Sequence, residues 1–581
     1  MIAYVCKYTP IEVFQAMGEE TILLEGAAGQ CTEAESCMHP NLCSYAKAAY
    51  ETLVRHPEYE GIILTSCCDS INRLYDNLCR RFPKRFIYLL DLPRKVNDSS
   101  VMLYRRQIAL MAEAWEAYKG EIFDPVALQE YIGNGISPIA EDAVASESKD
   151  RLRIGIMGAR CSKNLYRLLK ADRIVFDLTC AGIGRSIRKL ACDDILTDYA
   201  RSLLEQLPCM RMCDVTRRLD LVRSLEGKVD GIIYHVIKFC DLYPYEYSFI
   251  KKEISVPVNY IETDGTESSS GQLQTRIEAF EEELQARRNE GEVPVRLIAR
   301  YKHHHDADRD EKIRSKGYFL GIDSGSTSTN AVVIDNGCRL LASCVIPTGA
   351  QVADSAAQAK AMVLGKAGIG TKDVCRIVST GYGRNGIVGS DQDITEISCH
   401  AKGVHFLFPD VRTILDIGGQ DSKAIRINEA GSVVDFVMND KCAAGTGRFL
   451  EMISSTLDIG LEEMGPLSLT SKKDVEISSM CSVFAESEVI SLVAENKELA
   501  DIIHGVHKTI AKKGLALMKR VGLESEYCMS GGVARNVGVV EVLSQLLDAP
   551  VKVYGQPDIV GALGAALFAR QKHLSTGNSV K

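Results

Sequence analysis

The sequence lacks any long hydrophobic run. Its 581 residues contain no stretch of about 18 uncharged apolar positions, and Met1 is not followed by a basic segment and an apolar stretch. These absences exclude a transmembrane span and a secretory signal. Positive charge is not in excess either, since 68 Lys and Arg face 77 Asp and Glu, for a net charge of −9. A broad basic face is therefore excluded, and we expect a cytoplasmic protein that binds neither nucleic acid nor membrane.

Cysteine, by contrast, is abundant, with 20 in the chain. A large cytoplasmic chain keeps its thiols reduced, so a disulfide framework is not expected. Free cysteine is often buried in ordinary cores, but 20 exceeds what core packing needs. We therefore expect that some of these thiols bind metal or take part in redox chemistry.

Two polar segments divide the chain, at about 134–152 and at 301–316. The three adjacent histidines of the second segment, at 303–305, are typical of a solvated linker rather than a metal site. Before residue 300, short apolar runs alternate with amphipathic segments, which predicts an α/β fold with two parallel-sheet subdomains, at about 1–140 and 151–299. We expect a linker at 300–316 and a C-terminal domain at 317–575. The predicted strands are 61–65, 86–90, 154–157, 231–234, 258–261, 318–322, 330–335 and 413–417, and the clearest helix is 272–288.

Three glycine-rich segments of the C-terminal part have the composition of phosphate-binding turns. Gly321–Thr329 lies between two apolar strands, which predicts a hairpin, and Leu415–Asp421 and Met529–Asn536 follow later. Glycines let the backbone approach a phosphate, hydroxyl and N–H groups bind its oxygens, and Asp323 can hold Mg²⁺ through water. The chain has neither a Walker A run nor a Rossmann GxGxxG segment.

In combination and order, these segments resemble the acetate kinase/sugar kinase/Hsp70/actin superfamily. Segments 379–384, 439–449 and 479–488 further resemble the activator ATPases of 2-hydroxyacyl-CoA dehydratases and benzoyl-CoA reductases. The resemblance covers nearly all of 318–570 and implies a two-lobed ATPase with ATP and Mg²⁺ between the lobes. It implies that Asp323 and Asp416 position Mg²⁺ or water and that Gln420 lies near the γ-phosphate. The implied nucleotide-binding residues are Gly321, Ser324, Gly325, Ser326, Thr327, Gly418, Gly419, Gly445, Thr446, Gly447, Ser530, Gly531, Gly532, Arg535 and Asn536.

Two cysteines, Cys442 and Cys481, lie in the segments that are specific to these activators. A [4Fe–4S] cluster needs four sulfurs, which a two-fold homodimer would supply by sharing one cluster across its axis. The resemblance implies such a bridging cluster, with ferredoxin or flavodoxin as the electron donor.

The N-terminal part contains thirteen of the cysteines, and several follow predicted strands, where a parallel sheet places its ligand chemistry. No CxxC pair occurs here, so a zinc ribbon or ferredoxin arrangement is poorly supported. The region resembles the 2-hydroxyacyl-CoA dehydratase component family through 39–47, 65–70, 176–182, 208–213, 234–241, 262–267 and 271–276. The resemblance implies that Cys43, Cys68 and Cys240 bind an iron–sulfur cluster. Further candidates are Cys67, Cys180 and Cys209, and we assign Cys6 and the remaining cysteines to packing.

Two cluster types stay open for this part: a [4Fe–4S] cubane on three cysteines, or a double-cubane cluster on six, as carried by relatives that reduce small molecules. We interpret the chain as an ATP-dependent electron activator fused to its iron–sulfur acceptor, and a separate dehydratase or reductase subunit is a further candidate partner. A small-molecule kinase is one alternative and predicts ADP release without bound iron. An ATP-binding redox sensor or maturation factor is the other and predicts negligible ATPase turnover.

Overall fold

The computed structural model divides the chain into two compact units, residues 1–277 and 278–581. The structure describes residues 1–24, 26, 31–39, 41–135, 151–170, 173–180, 182, 185, 187–190, 194–212, 216–240, 242–264, 270–290, 317–439, 445–477 and 482–577. Within these ranges, no helix is long and apolar enough to cross a membrane. The predicted linker at 300–316 lies outside them.

The N-terminal unit contains two four-stranded sheets in which every strand pair is parallel. Their orders are β2-β1-β3-β4 and β6-β5-β7-β8, so each sheet has the same succession of strands. This confirms the predicted pair of parallel α/β subdomains. The strands are β1 (Ile2–Tyr4), β2 (Thr21–Leu23), β3 (Gly61–Thr65), β4 (Phe86–Leu90), β5 (Ile154–Gly158), β6 (Ile174–Thr179), β7 (Gly231–Ile237) and β8 (Val258–Thr263).

Helices connect these strands and cover the sheets, as parallel pairing requires. Central strands such as β3 and β5 are buried at every position, which accounts for their continuous apolar sequence. The helices are α1 (Ile11–Ala16), α2 (Thr32–Cys37), α3 (Ser44–Arg55), α4 (Asp69–Arg81), α5 (Asp98–Lys119), α6 (Pro125–Gly135), α7 (Lys163–Leu169), α8 (Ile195–Leu204), α9 (Thr216–Leu225), α10 (Tyr243–Glu253) and α11 (Ser270–Glu290).

Capping sets the ends of the longest connecting helix, α5. The Asn97 side chain accepts a hydrogen bond from the Ser100 N–H at its start, and Gly120 ends it in the left-handed conformation at φ +83°. Its buried face carries Tyr104 and Trp115, which pack in the core of the first subdomain. The first sheet is therefore held against a rigid helical layer, which fixes the loops at its strand ends.

The C-terminal unit contains two five-stranded sheets of identical design, ordered β11-β10-β9-β12-β13 and β16-β15-β14-β17-β18. In each, the first three strands pair antiparallel and the last two add in parallel. This confirms the predicted two-lobed ATPase architecture. The strands are β9 (Tyr318–Ser324), β10 (Ser328–Asp335), β11 (Leu340–Pro347), β12 (Val374–Thr380), β13 (Gln392–Asp393), β14 (Thr413–Ile417), β15 (Ser422–Ile427), β16 (Val433–Asn439), β17 (Tyr527–Ser530) and β18 (Val551–Val553).

Helix α19 packs against helix α13 and against the first sheet of this unit. Ala562 and Ala566 of α19 belong to the buried core there. The helices are α12 (Val352–Ala367), α13 (Glu396–Leu407), α14 (Gly447–Leu457), α15 (Leu461–Ser468), α16 (Ser482–Ala494), α17 (Leu499–Val521), α18 (Val537–Leu547) and α19 (Val560–Gly577).

Candidate nucleotide and metal sites

A cavity of about 570 Å³ opens between the two lobes of the C-terminal unit. This volume is in the range of small-molecule and cofactor pockets. The β9–β10 turn, the β14–β15 turn, the start of α14 and the loop before α18 all contribute to its wall. Among the predicted residues, its lining includes Asp323, Gly325, Ser326, Thr327, Asp416, Gly418, Gly419, Gly447, Gly531, Gly532, Arg535 and Asn536.

The first phosphate turn is the β9–β10 hairpin, closed by the hydrogen bond from Gly325 N–H to the Ser328 carbonyl at 2.9 Å. Gly381 packs beneath it with φ +86°, and a Cβ there would lie 2.4 Å from Asp323 Oδ1. Only glycine fits both the backbone conformation and the space. The neighbouring Gly383 N–H donates to the Ser324 carbonyl at 2.9 Å, which holds the hairpin from below.

The second phosphate turn follows β14 and is tied to the start of α14. The Gly418 carbonyl accepts from Gly447 N–H at 2.9 Å, and the Gly419 carbonyl accepts from Arg448 N–H at 2.8 Å. A Cβ on Gly419 would lie 2.1 Å from Thr327 Oγ1, so the two turns face each other in close contact. Backbone groups and a helix N-terminus thus converge on one space, as phosphate binding requires.

Two buried carboxylates lie beneath these turns with a histidine between them. His400 Nδ1 is 3.4 Å from Asp416 Oδ1, and His400 Nε2 is 3.9 Å from Asp323 Oδ2. Ser530 Oγ donates to Asp416 Oδ1 at 3.0 Å. Burial raises the pKa of Asp323 to about 6, whereas burial of Asp416 is outweighed by His400 and Lys423, so its pKa is lowered. The two carboxylates are therefore suited to different tasks.

Lys423 supplies the positive charge at the floor of the cleft. Its Nζ lies 2.7 Å from Asp421, 3.4 Å from Asp416 and 4.0 Å from Glu396. The side chain is almost fully buried, and the three carboxylates outweigh burial and raise the pKa of Lys423. Lys423 thus pairs with part of the negative charge of the cleft.

The end of the cleft near α18 is organised by Asn536. Its Oδ1 accepts from the N–H groups of Gly538 and Val539, which caps α18. Its amide lies 3.1 Å from His507 Nε2, and His507 Nδ1 lies 2.9 Å from Ser468 Oγ. Burial lowers the pKa of His507 to about 3, so this ring is neutral and fixes the Asn536 side chain.

Several predicted nucleotide residues support the cleft from outside its lining. Gly321 faces α19, where a Cβ would lie 2.0 Å from the Ala562 carbonyl oxygen. The Gly445 carbonyl accepts from Ser422 Oγ at 2.6 Å, and Thr446 is the residue before α14. Gln420 is exposed, while its neighbours Gly419 and Asp421 line the cleft.

Sequence reasoning missed several residues of the cleft lining, among them Glu396, His400 and Lys423. Glu396 and His400 lie on α13, which has no glycine-rich segment, and only their helical spacing places both on one face. Lys423 lies among consecutive buried positions of β15, and nothing in the sequence around it marked it as a site residue.

The predicted bridging cysteines Cys442 and Cys481 lie outside the described residues. The helices that follow them in sequence, α14 and α16, begin at Gly447 and Ser482. These two residues therefore stay a prediction.

In the N-terminal unit, thiols gather where the parallel strands of both sheets end. Cys6 follows β1, Cys67 and Cys68 follow β3, Cys180 follows β6, and Cys240 follows β7. Cys43 and Cys68 are also the residues that precede α3 and α4. A helix N-terminus favours a thiolate, so both positions suit metal-binding sulfur.

Cys43, Cys68 and Cys240 form what we call the first thiol group. The Ser44 N–H donates to the Lys238 carbonyl at 3.4 Å, which joins the start of α3 to the loop that carries Cys240. Burial, followed by Cys240 and then Cys68, raises the pKa of Cys43 to about 12. These are the three ligands that the resemblance favoured.

Cys6, Cys180 and Cys209 form the second thiol group. The Cys209 N–H donates to the Tyr8 hydroxyl at 3.3 Å, which joins the loop after β1 to the loop after α8. Burial, followed by Cys6 and Cys180, raises the pKa of Cys209 to about 11. Cys6, assigned to packing from the sequence, also packs against two hydrophobic clusters of this unit, and its role stays a prediction.

Cys67 lies between the two groups. The adjacent Cys68 thiol, burial and the Cys6 thiol all raise the pKa of Cys67. Among the described residues, no three His, Cys, Asp or Glu side chains are placed to hold a single metal ion. The donor set is nevertheless entirely sulfur from separate segments, the chemistry that iron–sulfur clusters use, and the residues fit such a group.

Arginine side chains fix the backbone on which these thiols lie. Arg160, which follows β5, donates to the Val5 carbonyl at 2.7 Å, and Arg211 donates to the Ser66 carbonyl at 2.8 Å. Arg185 donates to the Thr9 carbonyl at 2.8 Å and pairs with Glu12 at 2.6 Å. The loops that carry Cys6 and Cys67 are thus held from the second sheet before any metal binds.

His235 has no role beyond this scaffold. Its Nε2 lies 2.9 Å from Thr263 Oγ1 and its Nδ1 lies 3.2 Å from the Ala159 carbonyl oxygen. Burial lowers the pKa of His235 to about 4, so the ring is neutral.

The comparisons with known proteins match the N-terminal and C-terminal parts of the chain to two different families. Residues 320–569 match the BadF/BadG/BcrA/BcrD ATPase family, and residues 6–135 and 135–284 match 2-hydroxyglutaryl-CoA dehydratase, D-component. The chain is 42% identical over 264 residues to the 2-hydroxyisocaproyl-CoA dehydratase activator of Clostridioides difficile, covering 45% of this chain and 99% of that protein. It is 46% identical over 256 residues to the activator of lactoyl-CoA dehydratase of Anaerotignum propionicum, covering 43% and 97%.

A solved structure is similar over the same region. It is the activator of the 2-hydroxyisocaproyl-CoA dehydratase from Clostridium difficile with bound ADPNP, at 42% identity and a TM-score of 0.44. The match covers 45% of this chain and 98% of that one.

Proposed function

Because the chain belongs to the BadF/BadG/BcrA/BcrD ATPase family and joins this ATPase to a 2-hydroxyglutaryl-CoA dehydratase D-component segment, we propose that it is an ATP-driven electron-transfer enzyme. ATP hydrolysis in the cleft drives electrons from a [4Fe–4S] cluster, bound by Cys442 and Cys481 of two copies, to an iron–sulfur cluster in the N-terminal unit. Ferredoxin or flavodoxin is the electron donor. A separate dehydratase or reductase subunit is a further candidate recipient.

The observation that carries this proposal is that one unit contains six predicted thiols, four of them in loops that follow parallel strands. The predicted ligands lie far apart in the sequence, and the two sheets bring their loops together through the contacts of Ser44 and Cys209. Buried thiols with raised pKa values are protonated without metal, so binding iron requires proton release. Core packing alone does not call for so many sulfurs at one edge.

In the cleft, each part of the protein has a separate task. The two glycine turns and the start of α14 bind the phosphates, and Asp323 holds Mg²⁺ through water. Asp416, kept ionised by His400 and Lys423, orients the attacking water, and Asn536 positions the adenosine. The ADPNP bound to the similar activator from Clostridium difficile supports ATP as the ligand.

Hydrolysis has to supply energy to an electron. Making the potential of one electron more negative by 100 mV takes about 2.3 kcal/mol. A movement of the two lobes around bound nucleotide can deliver this energy, because each lobe carries one phosphate turn and one of the two carboxylates, Asp323 or Asp416. The clusters supply the one-electron chemistry, and the protein supplies their ligands and the lobe movement.

Two thiol groups of three favour a double-cubane cluster over a single cubane in the N-terminal unit. A cubane bound by three cysteines keeps one iron free for a further ligand, and two such cubanes need six cysteines. Seven thiols are present in the region, so either Cys6 or Cys67 is surplus. We assign Cys6 to the second thiol group because Cys180 raises the pKa of Cys6 and Cys6 raises that of Cys209.

Iron and acid-labile sulfide per chain, measured on protein purified without oxygen, test this proposal. We expect about ten irons in the wild type, about two from the bridging cluster and about eight from the double cubane. Cys442→Ala should lose about two, Cys240→Ala should lose N-terminal iron only, and Cys6→Ala should lose more than Cys67→Ala.

Matched controls use cysteines away from both sites. Cys344→Ala, in the ATPase core, and Cys375→Ala, at the surface, should keep all their iron. Reductant-dependent ATPase activity should disappear with Cys442→Ala and remain in both controls. A wild-type protein that binds no iron, yet releases ADP with a small substrate, would instead identify a kinase.

A further inference from the structure

One buried cation lies beside the second thiol group and takes no part in the proposed function so far. Lys7 follows Cys6 at the end of β1 and is only 6% exposed. Its ammonium group donates to the Leu207 carbonyl, two positions before Cys209, and lies 5.2 Å from the centre of the Tyr8 ring. The side chain thus spans the loops that carry two members of this group.

A buried ammonium group loses its hydration, and hydrogen bonds or a negative partner must offset that loss. Within the part of the chain that the structure describes, no carboxylate forms an ion pair with Lys7, and a carbonyl and an aromatic face only partly replace water. Two thiols that are able to become negative lie on this side of Lys7: Cys6 precedes it in sequence, and Cys209 lies two positions after the carbonyl that accepts its hydrogen bond. Burial lowers the pKa of Lys7 to about 8, and Cys209, Cys180 and Cys6 oppose that shift. Thiolates bound to iron would complete the pairing.

The two thiol groups differ in this respect. The main neighbours that change the pKa of Cys43 and Cys240, beyond burial and backbone hydrogen bonds, are other thiols. Lys7, in contrast, lowers the pKa of Cys6 and of Cys209. Arg160 adds a second buried cation on the same side, since its charge interacts with Cys180 and Cys6. Buried positive charge is thus found beside the second thiol group.

We propose that Lys7 is the counter-charge of the cluster bound by Cys6, Cys180 and Cys209, and that it makes the two thiol groups electronically unequal. This inference rests on the proposed function. A fixed positive charge stabilises the reduced, more negative cluster state and raises its reduction potential. A cluster held by Cys6, Cys180 and Cys209 would therefore be easier to reduce than one held by Cys43, Cys68 and Cys240, which would need a more negative potential.

A redox titration of the full-length protein, followed by electron paramagnetic resonance, tests this role. Lys7→Gln keeps a donor for the Leu207 carbonyl and removes the charge, and Lys7→Arg keeps the charge. At the wild-type midpoint, we expect the ratio of reduced to oxidised first-reduced cluster to fall about tenfold in Lys7→Gln, equivalent to about 59 mV for one electron. Lys7→Arg should stay close to the wild type, and so should the exposed-lysine control Lys95→Met.

Iron content separates the failure of this inference from the failure of the proposed function. Full iron with an unchanged midpoint in Lys7→Gln overturns the inference and leaves the proposed function intact. Loss of about four irons in Lys7→Gln but not in Lys7→Arg supports it, because the charge is then needed to hold the cluster. Loss of iron in both Lys7→Gln and Lys7→Arg overturns the inference and gives Lys7 a role in folding instead. Wild-type protein without N-terminal iron, or with iron that survives Cys209→Ala, overturns it as well.

Discussion

The nucleotide cleft and the thiol groups treat buried charge in opposite ways. In the cleft, the Lys423 ammonium lies within 4.0 Å of three carboxylates, so part of the negative charge is paired before any ligand arrives. Around the thiols, burial keeps Cys43 and Cys209 protonated, and among the described residues no carboxylate pairs with the buried Lys7. The cleft is therefore preorganised for a ligand that comes and goes, whereas the thiol region is completed by a resident metal group.

Removing the balancing cation of the cleft should have the largest effect. Lys423→Met leaves the buried carboxylates Asp416 and Asp421 without their partner, and we expect the C-terminal unit to lose about 3–5 kcal/mol of stability. Urea unfolding followed by hydrogen exchange in β14 measures it. The control Lys512→Met breaks an exposed pair with Glu476 and should cost less than about 1 kcal/mol. An equal loss of unfolding free energy in both variants would contradict the pairing of Lys423 with Asp416 and Asp421.

Removing the metal should destabilise the N-terminal unit and leave the sheets of the C-terminal unit unchanged. We expect anaerobic chelation of iron to lower the amide protection of β3 and β7 roughly 100-fold, about 2.7 kcal/mol, because metal binding adds directly to folding free energy. Protection of β14 and β17 should stay unchanged. The measurement is hydrogen exchange by mass spectrometry on the same sample before and after chelation. Unchanged protection of β3 and β7 would mean that the thiols of the N-terminal unit do not hold the metal.

Acid should destabilise the C-terminal unit through His507. Its folded pKa of about 3 lies below the ordinary value of 6.5, so the unfolded state binds the proton first. Stability is then full above about pH 6.5 and falls by about 1.4 kcal/mol per pH unit towards the folded pKa. Urea unfolding between pH 7.5 and about 4.5 should show a flatter dependence for His507→Gln. His504→Gln, on the same helix, should keep the wild-type slope.

The smallest expected effect concerns the decrease in Mg-ATP affinity at low pH. Burial raises the pKa of Asp323 to about 6, and the interaction with His400 opposes that rise. Because the ionised carboxylate holds Mg²⁺, affinity for Mg-ATP should fall as pH drops through about 6. His400→Gln should move that midpoint upward by less than about one unit. Calorimetric titration at several pH values measures the shift, and an unchanged or lower midpoint would contradict the assigned pairing.

The contiguous parts of both sites could be predicted from the sequence. The hairpin of β9 and β10 and the turn after β14 each lie within one short segment, so glycine, hydroxyl and carboxylate residues appear together in the chain. The predicted strands at 61–65, 86–90 and 413–417 have the observed bounds, and others, such as 231–234 and 318–322, extend by two or three residues. Their buried, apolar sequence accounts for the agreement.

The parts that depend on tertiary packing could not be predicted. His400 reaches Asp416 only because α13 packs along α19, and Cys6 reaches Cys209 only because the loop after β1 meets the loop after α8. Neither contact is local in sequence, and neither residue belongs to a recognisable segment. The predicted roles of Cys442 and Cys481 lie outside the described residues, and the dimer they imply stays a prediction.

The close approach of the two phosphate turns also restricts how this sequence can vary. Gly419 and Thr327 belong to different lobes, and a single methyl group at 419 would overlap the threonine hydroxyl. Neither position can accept a larger side chain independently of the other. During evolution the two positions are therefore expected to change as a pair, with a larger residue on one turn tolerated only beside a smaller one on its counterpart. Two segments far apart in the gene are inherited as one steric unit.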